Sequence, residues 1–123
     1  MTTSKTSSFK FLKIAAPAFA AALLSLSFSA SAADIDADAA QALAKKNDCF
    51  KCHAIDKTKK GPSYKKVAAK YKGKAEEGQE KILKNITTGP KVKLEDGSEE
   101  EHKIIDSKDP KAIKNLIDWI LSQ

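Results

Sequence analysis

Cys49-Phe50-Lys51-Cys52-His53 sets two thiols three positions apart and an imidazole directly after the second. On one helical turn both sulfurs can reach the two vinyl groups of a single porphyrin and form thioethers. The next residue then directs its imidazole at the iron from one face. C-x-x-C-H is the attachment signature of c-type haem. Two other chemistries use a close cysteine pair. A redox dithiol normally sits beside a βαβ pattern, which is absent here, and a zinc site would find three ligands and need a distant fourth. The chain has only these two cysteines, which excludes a multi-bridge disulfide scaffold and a four-cysteine cluster. One covalently held haem c uses every residue of the motif.

The setting of that motif is read from residues 1–32. Lys5, Lys10 and Lys13 precede an apolar run of about 15 residues from Ile14 to Phe28, and Ala30-Ser31-Ala32 follows with small residues at the −3 and −1 positions. This is the pattern of a cleavable secretory signal peptide, cut after Ala32 or Ala33. A membrane span needs roughly 20 apolar residues, and this run is shorter and contains Pro17, so no stable membrane insertion is expected after cleavage. The expected compartment is the periplasm, with residues 33–123 as one domain. A domain of this size is marginal alone, and a haem would supply the large apolar object that its core lacks.

The elements that must position the motif are helical. Asp36 or Asp38 can cap a helix running to about Asp48, with Ala39, Ala40, Leu43 and Ala44 on one face. Tyr64, Val67, Ala68 and Tyr71 recur at helical spacing after Gly61-Pro62, ending near Gly73. Ile82, Leu83 and Ile86 mark a third, shorter helix ending before Gly89-Pro90. Asp109-Pro110 reads as a cap followed by proline at the first helical position, opening a last helix with Ile113, Leu116, Ile117, Trp119 and Ile120. Between the third and fourth helices, Lys91 to Leu94 alternates and Asp96-Gly97 is a two-residue hairpin signal. Such a turn would put Lys93 opposite Glu100 and Lys91 opposite His102. The class is all-α, with about four helices and a small β-hairpin near residues 91–102.

The stretch from the motif through Gly61-Pro62-Ser63-Tyr64-Lys65-Lys66-Val67-Ala68-Ala69-Lys70-Tyr71-Lys72-Gly73 resembles the small bacterial class I cytochromes c of the c551/c8 type, as does the ending Trp119-Ile120-Leu121-Ser122-Gln123. The resemblance covers nearly all of residues 33–123 and weakens over residues 87–108. It implies the class I cytochrome c fold, with first and last helices crossing and the haem edge exposed near the motif. It also implies that the Pro62 carbonyl accepts a hydrogen bond from the second ring nitrogen of His53, fixing its tautomer. Gly61-Pro62 is otherwise an ordinary turn before a helix, and Trp119 reads as core packing.

The chain departs from that pattern at the second axial ligand. The resemblance implies a methionine in the loop before the last helix, yet the only methionine is Met1. After export none remains. The two histidines are His53 and His102, and His102 lies about where the methionine loop would reach the iron. His/His ligation is therefore the expectation; a solvated His102 with an open or water-bound iron, or a Lys or Asn ligand, are the alternatives. Exchanging thioether for imidazole favours ferric iron, and Glu99, Glu100 and Glu101 would favour it further, so a low potential is expected.

All 22 basic side chains are lysines, against 16 acids. Residues 45–74 hold eleven lysines and two aspartates, whereas residues 75–110 hold ten acids and six lysines. A lysine-rich face near the haem edge would steer acidic redox partner proteins. Nucleic acid is not an expected partner, given export, the absence of arginine and no aromatic array. The expected function is a soluble one-electron carrier, a monomer and not an enzyme. The alternative is a haem protein binding NO or CO at an open or detachable sixth site.

Overall fold

The computed structural model describes residues 34–123, and the export segment read from residues 1–32 lies outside them. Four helices and one two-stranded sheet follow in the order α1 (Ala37–Lys46), a 3₁₀ turn (Cys49–Lys51), α2 (Tyr64–Lys70), α3 (Ala75–Thr88), β1 (Lys91–Lys93), β2 (Glu99–Glu101) and α4 (Pro110–Leu121). The Asp36 carboxylate caps α1 by accepting from the Ala39 N–H at 2.9 Å. Ala40 and Ala44 are fully buried, and these small side chains let α1 pack closely on α4. Asn115 of α4 ties the two together, its amide exchanging hydrogen bonds with the N–H and C=O of Asp36 at 2.9 and 2.8 Å.

The α4 helix is the hub, touching α1, α2 and α3. Its Leu116, Ile117, Trp119 and Ile120 join Tyr64, Ile82, Ile86 and Ile105 in one core. Trp119 packs edge-on to Tyr64, with ring centroids 5.5 Å apart. Each large apolar side chain fully buried here is worth roughly 1.5–3 kcal/mol.

Two elements differ from the sequence expectation. The third helix is the longest, at 14 residues. Its first half, Ala75-Glu76-Glu77-Gly78-Gln79-Glu80-Lys81, carries no apolar stripe, but most of its residues favour helix and the two acids in the first turn complement the helix dipole. Of its three apolar markers only Ile82 and Ile86 are buried; Leu83 is 44 % exposed.

The hairpin is present with a different register. Lys91 pairs with Glu101, Val92 with Glu100 and Lys93 with Glu99, one residue off the pairing of Lys93 with Glu100 and Lys91 with His102. The cause is the turn. Leu94 N–H donates to Ser98 C=O at 2.8 Å and Gly97 N–H to Leu94 C=O at 3.0 Å, so the loop holds three residues, Glu95-Asp96-Gly97. Gly97 sits at φ +87°, the left-handed conformation that closes this loop type with a bulge. The Asp96 carboxylate accepts from both the N–H and the hydroxyl of Ser98 at 2.9 and 2.6 Å, and these bonds hold it below the usual carboxylate range.

Candidate functional site

The C-x-x-C-H segment starts from an unusual backbone. Asp48 follows α1 at φ 58°, a left-handed conformation that Asp tolerates better than most residues. It turns the chain into the 3₁₀ turn, where the N–H groups of Cys52 and His53 both donate to the Cys49 carbonyl at 3.2 and 3.0 Å. Both cysteines are half-buried and unpaired. Burial pushes the Cys49 thiol above its ordinary value. The loop that follows folds back on the motif, Gly61 N–H donating to Cys52 C=O at 2.8 Å and Tyr64 N–H to Ala54 C=O at 2.9 Å.

That return loop fixes the His53 ring. Nδ1 lies 2.7 Å from the Pro62 carbonyl oxygen. A carbonyl can only accept, so Nδ1 carries the proton and Nε2 keeps its lone pair. The Tyr64 ring stacks on the imidazole with centroids 5.4 Å apart and planes 20° apart. Gly61 packs on it too: a Cβ on this glycine would lie 2.7 Å from His53 Cε1. Burial lowers the His53 pKa, with the Pro62 bond opposing it, which favours the neutral imidazole. Burial above all raises the Tyr64 hydroxyl far beyond the usual phenol range, with Cys49 adding to it.

The opposite wall is delivered by the hairpin. His102 N–H continues the ladder by donating to Pro90 C=O at 2.9 Å, and Ile105 N–H donates to Ile86 C=O at 2.7 Å. Asn47, only 2 % exposed, gives its amide N–H to Leu43 C=O at 2.9 Å and accepts from Asp106 N–H at 2.7 Å. One buried amide two residues before Cys49 thus anchors the segment that carries His102. The His102 Nδ1 lies 2.9 Å from the Lys103 carbonyl oxygen, so it too is the donor and Nε2 is left with a lone pair. The two imidazoles have centroids 6.2 Å apart and planes tilted by 40°.

Cys49, Cys52, His53, Pro62 and His102 all line one cavity of about 550 Å³, a size usual for sites that enclose a small organic molecule. Ile82, Ile86, Val92, Leu94, Leu116 and Ile120 supply apolar wall. Asn85 also lines it, and its buried Oδ1 has no hydrogen-bond partner; such an orphan costs about 1–3 kcal/mol. On the outer side of the motif, a second, more open groove is bordered by Phe50 and His53 and by Lys45, Lys57, Lys59 and Lys65, with Asp56 the one acid. Among the described residues no helix is long and apolar enough to cross a membrane.

An apolar cavity walled by α2, α3 and α4 and edged by two thiols and two imidazoles is the site of a small haem-binding protein. The model of the Cytochrome c family matches residues 37–123, and the chain belongs to that family, with one covalently attached haem c. Cytochrome c-551 of Allochromatium vinosum is 40 % identical over 47 residues, covering 38 % of this chain and 49 % of that protein, so the match spans about half of that relative. Cytochrome c-552 of Nitrosomonas europaea is 34 % identical over 90 residues, covering 65 % of this chain and 74 % of the relative. The crystal structure of class 1 cytochrome MtoD from Sideroxydans lithotrophicus ES-1 matches with 59 % identity and a TM-score of 0.67, over 72 % of this chain and 97 % of that one. The fold is the all-α class I cytochrome c fold.

The cavity fits such a group on its own terms. Its walls are apolar, its edge offers two thiols, two imidazoles present free Nε2 lone pairs, and Asn85 leaves a polar atom unpaired. Sequence reasoning did not single out Asn47, Asn85 or the packing of Gly61 on His53. Asn47 is adjacent to the motif's turn but its partner is 59 residues away, and periodicity carries no signal for a buried amide.

Proposed function

We propose that the chain is an exported, periplasmic monohaem cytochrome that acts as a soluble one-electron carrier, with haem bonded to Cys49 and Cys52 and its iron held between His53 and His102. The observation that carries this reading is the paired imidazoles, with centroids 6.2 Å apart. Imidazole nitrogens bind a metal ion at about 2 Å, so two rings approaching one ion from opposite sides would have their centroids roughly 6 Å apart. Both rings commit Nδ1 to a carbonyl, which fixes each tautomer and leaves Nε2 to coordinate.

Bound haem supplies a one-electron iron couple. The chain's residues hold the ligands still. Tyr64, Gly61 and Pro62 brace His53, and the ladder bond to Pro90 braces His102. Two nitrogen ligands and the exposed Glu99, Glu100 and Glu101 favour the ferric state, which supports a low potential. The lysine-bordered groove beside His53 supports docking of acidic redox partners. The NO- or CO-binding alternative requires a free iron face, and a second imidazole in the same cavity speaks against it.

Absorption and EPR spectra of both oxidation states test the reading. The expected ferric protein is low-spin and lacks the methionine–iron charge-transfer band. In His102→Ala the ferric haem becomes high-spin or water-bound, the reduced form binds CO rapidly, and added imidazole restores the parent spectrum. A His102→Ala protein that stays low-spin without added ligand overturns His102 as the sixth ligand.

A further inference from the structure

We infer that Lys81 and Asn85 form the carboxylate-holding end of the cavity and that the carboxylate they take is a haem propionate. This rests on the cavity's being the haem site, as proposed above, and is independent of the sixth ligand's identity.

Lys81 and Asn85 are four residues apart on α3 and therefore neighbours on one helix face. Both line the cavity. The Asn85 Oδ1 is buried without a partner, and a half-turn of the amide exchanges its oxygen for an NH₂ with two donors at the same spot. Lys81 takes part in none of the ion pairs among the described residues. Several other charged groups along the wall are occupied, whereas Lys93, Glu101 and Lys103 line it outside those ion pairs. Lys66 faces Glu95 at 3.9 Å, Glu100 faces Lys60 at 3.4 Å, and Lys70 lies over the Tyr71 ring at 5.4 Å. Of the unpaired lysines on the wall only Lys81 shares a helix face with Asn85, and an ammonium beside an unpaired amide is a site for a single anion.

A porphyrin of haem c has ionised groups only at its two propionates; the rest of its rim is apolar. The same face of α3 matches that division. Ile82 and Ile86 alternate with Lys81 and Asn85 along it and line the cavity with them. A propionate at Lys81 and Asn85 receives charge-assisted bonds and turns the orphaned amide into a partnered one. It also orients the ring, with the thioether edge at the Cys49–Lys51 turn and a propionate edge at α3.

The test uses the covalently loaded protein and four variants: K81Q, N85D, N85L and, as control, K84Q. Lys84 is an exposed lysine of the same helix that does not line the cavity. The readouts are the hyperfine-shifted NMR signals of the propionate methylenes in the ferric protein and the midpoint potential. K81Q is expected to move the methylene signals of one propionate and lower the potential. N85D lowers the potential further by setting a carboxylate against a carboxylate, and N85L moves the same methylene signals. K84Q makes the same change in net charge as K81Q, yet shifts the potential less than half as far and leaves the methylenes in place. Equal shifts in K81Q and K84Q, or parental methylene signals in both Asn85 variants, overturn the inference. If the Asn85 variants fail to fold, the comparison of K81Q with K84Q decides alone. Haem that remains covalently attached after Cys49→Ser with Cys52→Ser would instead overturn the cavity placement itself.

Discussion

The two walls of the cavity are built in opposite ways. The His53 wall is local: thiols, imidazole, Gly61, Pro62 and Tyr64 lie within 16 consecutive residues and brace one another through short loops. The His102 wall is remote. Its ring arrives on a charged hairpin, and its segment is held by Pro90, Ile86 and Asn47, drawn from three other parts of the chain. The difference separates what a motif can encode from what only a fold can deliver. A local wall survives damage elsewhere; a delivered one depends on every joint along its route.

Cutting the joint between the walls should have the largest effect. Asn47→Leu removes the acceptor for Asp106 N–H and the side-chain bond to Leu43 C=O, and should cost about 3 kcal/mol for two lost bonds and a stranded donor. Chemical denaturation reads the loss. Spectra should report a loosened sixth ligand with the His53 side intact, and equal disturbance of both sides would break the asymmetry. Gly61→Ala addresses the local wall alone. Its Cβ at 2.7 Å from the His53 ring forces a shift costing about 2 kcal/mol, visible as changed His53 ring-proton signals while those of His102 hold.

Much of this contrast was legible in the residues. The motif announced one wall through five consecutive letters, and the missing methionine directed attention to His102 by elimination. The helices around them showed through apolar spacing and through caps such as Asp36 and the Asp109-Pro110 pair. What stayed hidden has a physical pattern. The polar half of α3 buries little, so periodicity passed over it. The hairpin register turned on whether Gly97 closes a two- or three-residue loop, and both suit Asp96-Gly97. Asn47, Asn85 and Gly61 act through atoms distant in sequence or through a side chain that is absent.

Smaller effects sharpen the comparison. Burial raises the Tyr64 hydroxyl, and this persists when Cys49 is a thioether, because burial is the leading cause. A group whose folded pKa lies above its unfolded one contributes stability at low pH and loses it as pH rises. Alkaline unfolding should therefore lose about 1.4 kcal/mol per pH unit above roughly pH 10 through this residue. Tyr64→Phe should flatten that limb in denaturation curves measured across pH 9 to 12, and an unchanged slope would count against a buried, protonated Tyr64. Least affected should be the clasp between Lys60 and Glu100, at 3.4 Å with both side chains more than half exposed. Lys60→Gln is expected to change stability by no more than about 0.5 kcal/mol, with the effect vanishing at high salt. A larger loss would mean that the hairpin is held at its edge as well as at its base.

The three-residue turn at Glu95-Asp96-Gly97 makes the identity of the side chain facing His53 a matter of length as well as of lettering. In a paired strand, slipping by one residue turns every side chain to the opposite face. Deleting a single codon in this turn would swing the His102 imidazole out of the cavity and bring a neighbour's side chain round in its place, with no substitution anywhere. Exchange of the residue that faces His53 is thus one indel away in such a scaffold, and a lineage could retune its cavity by counting residues rather than by choosing them.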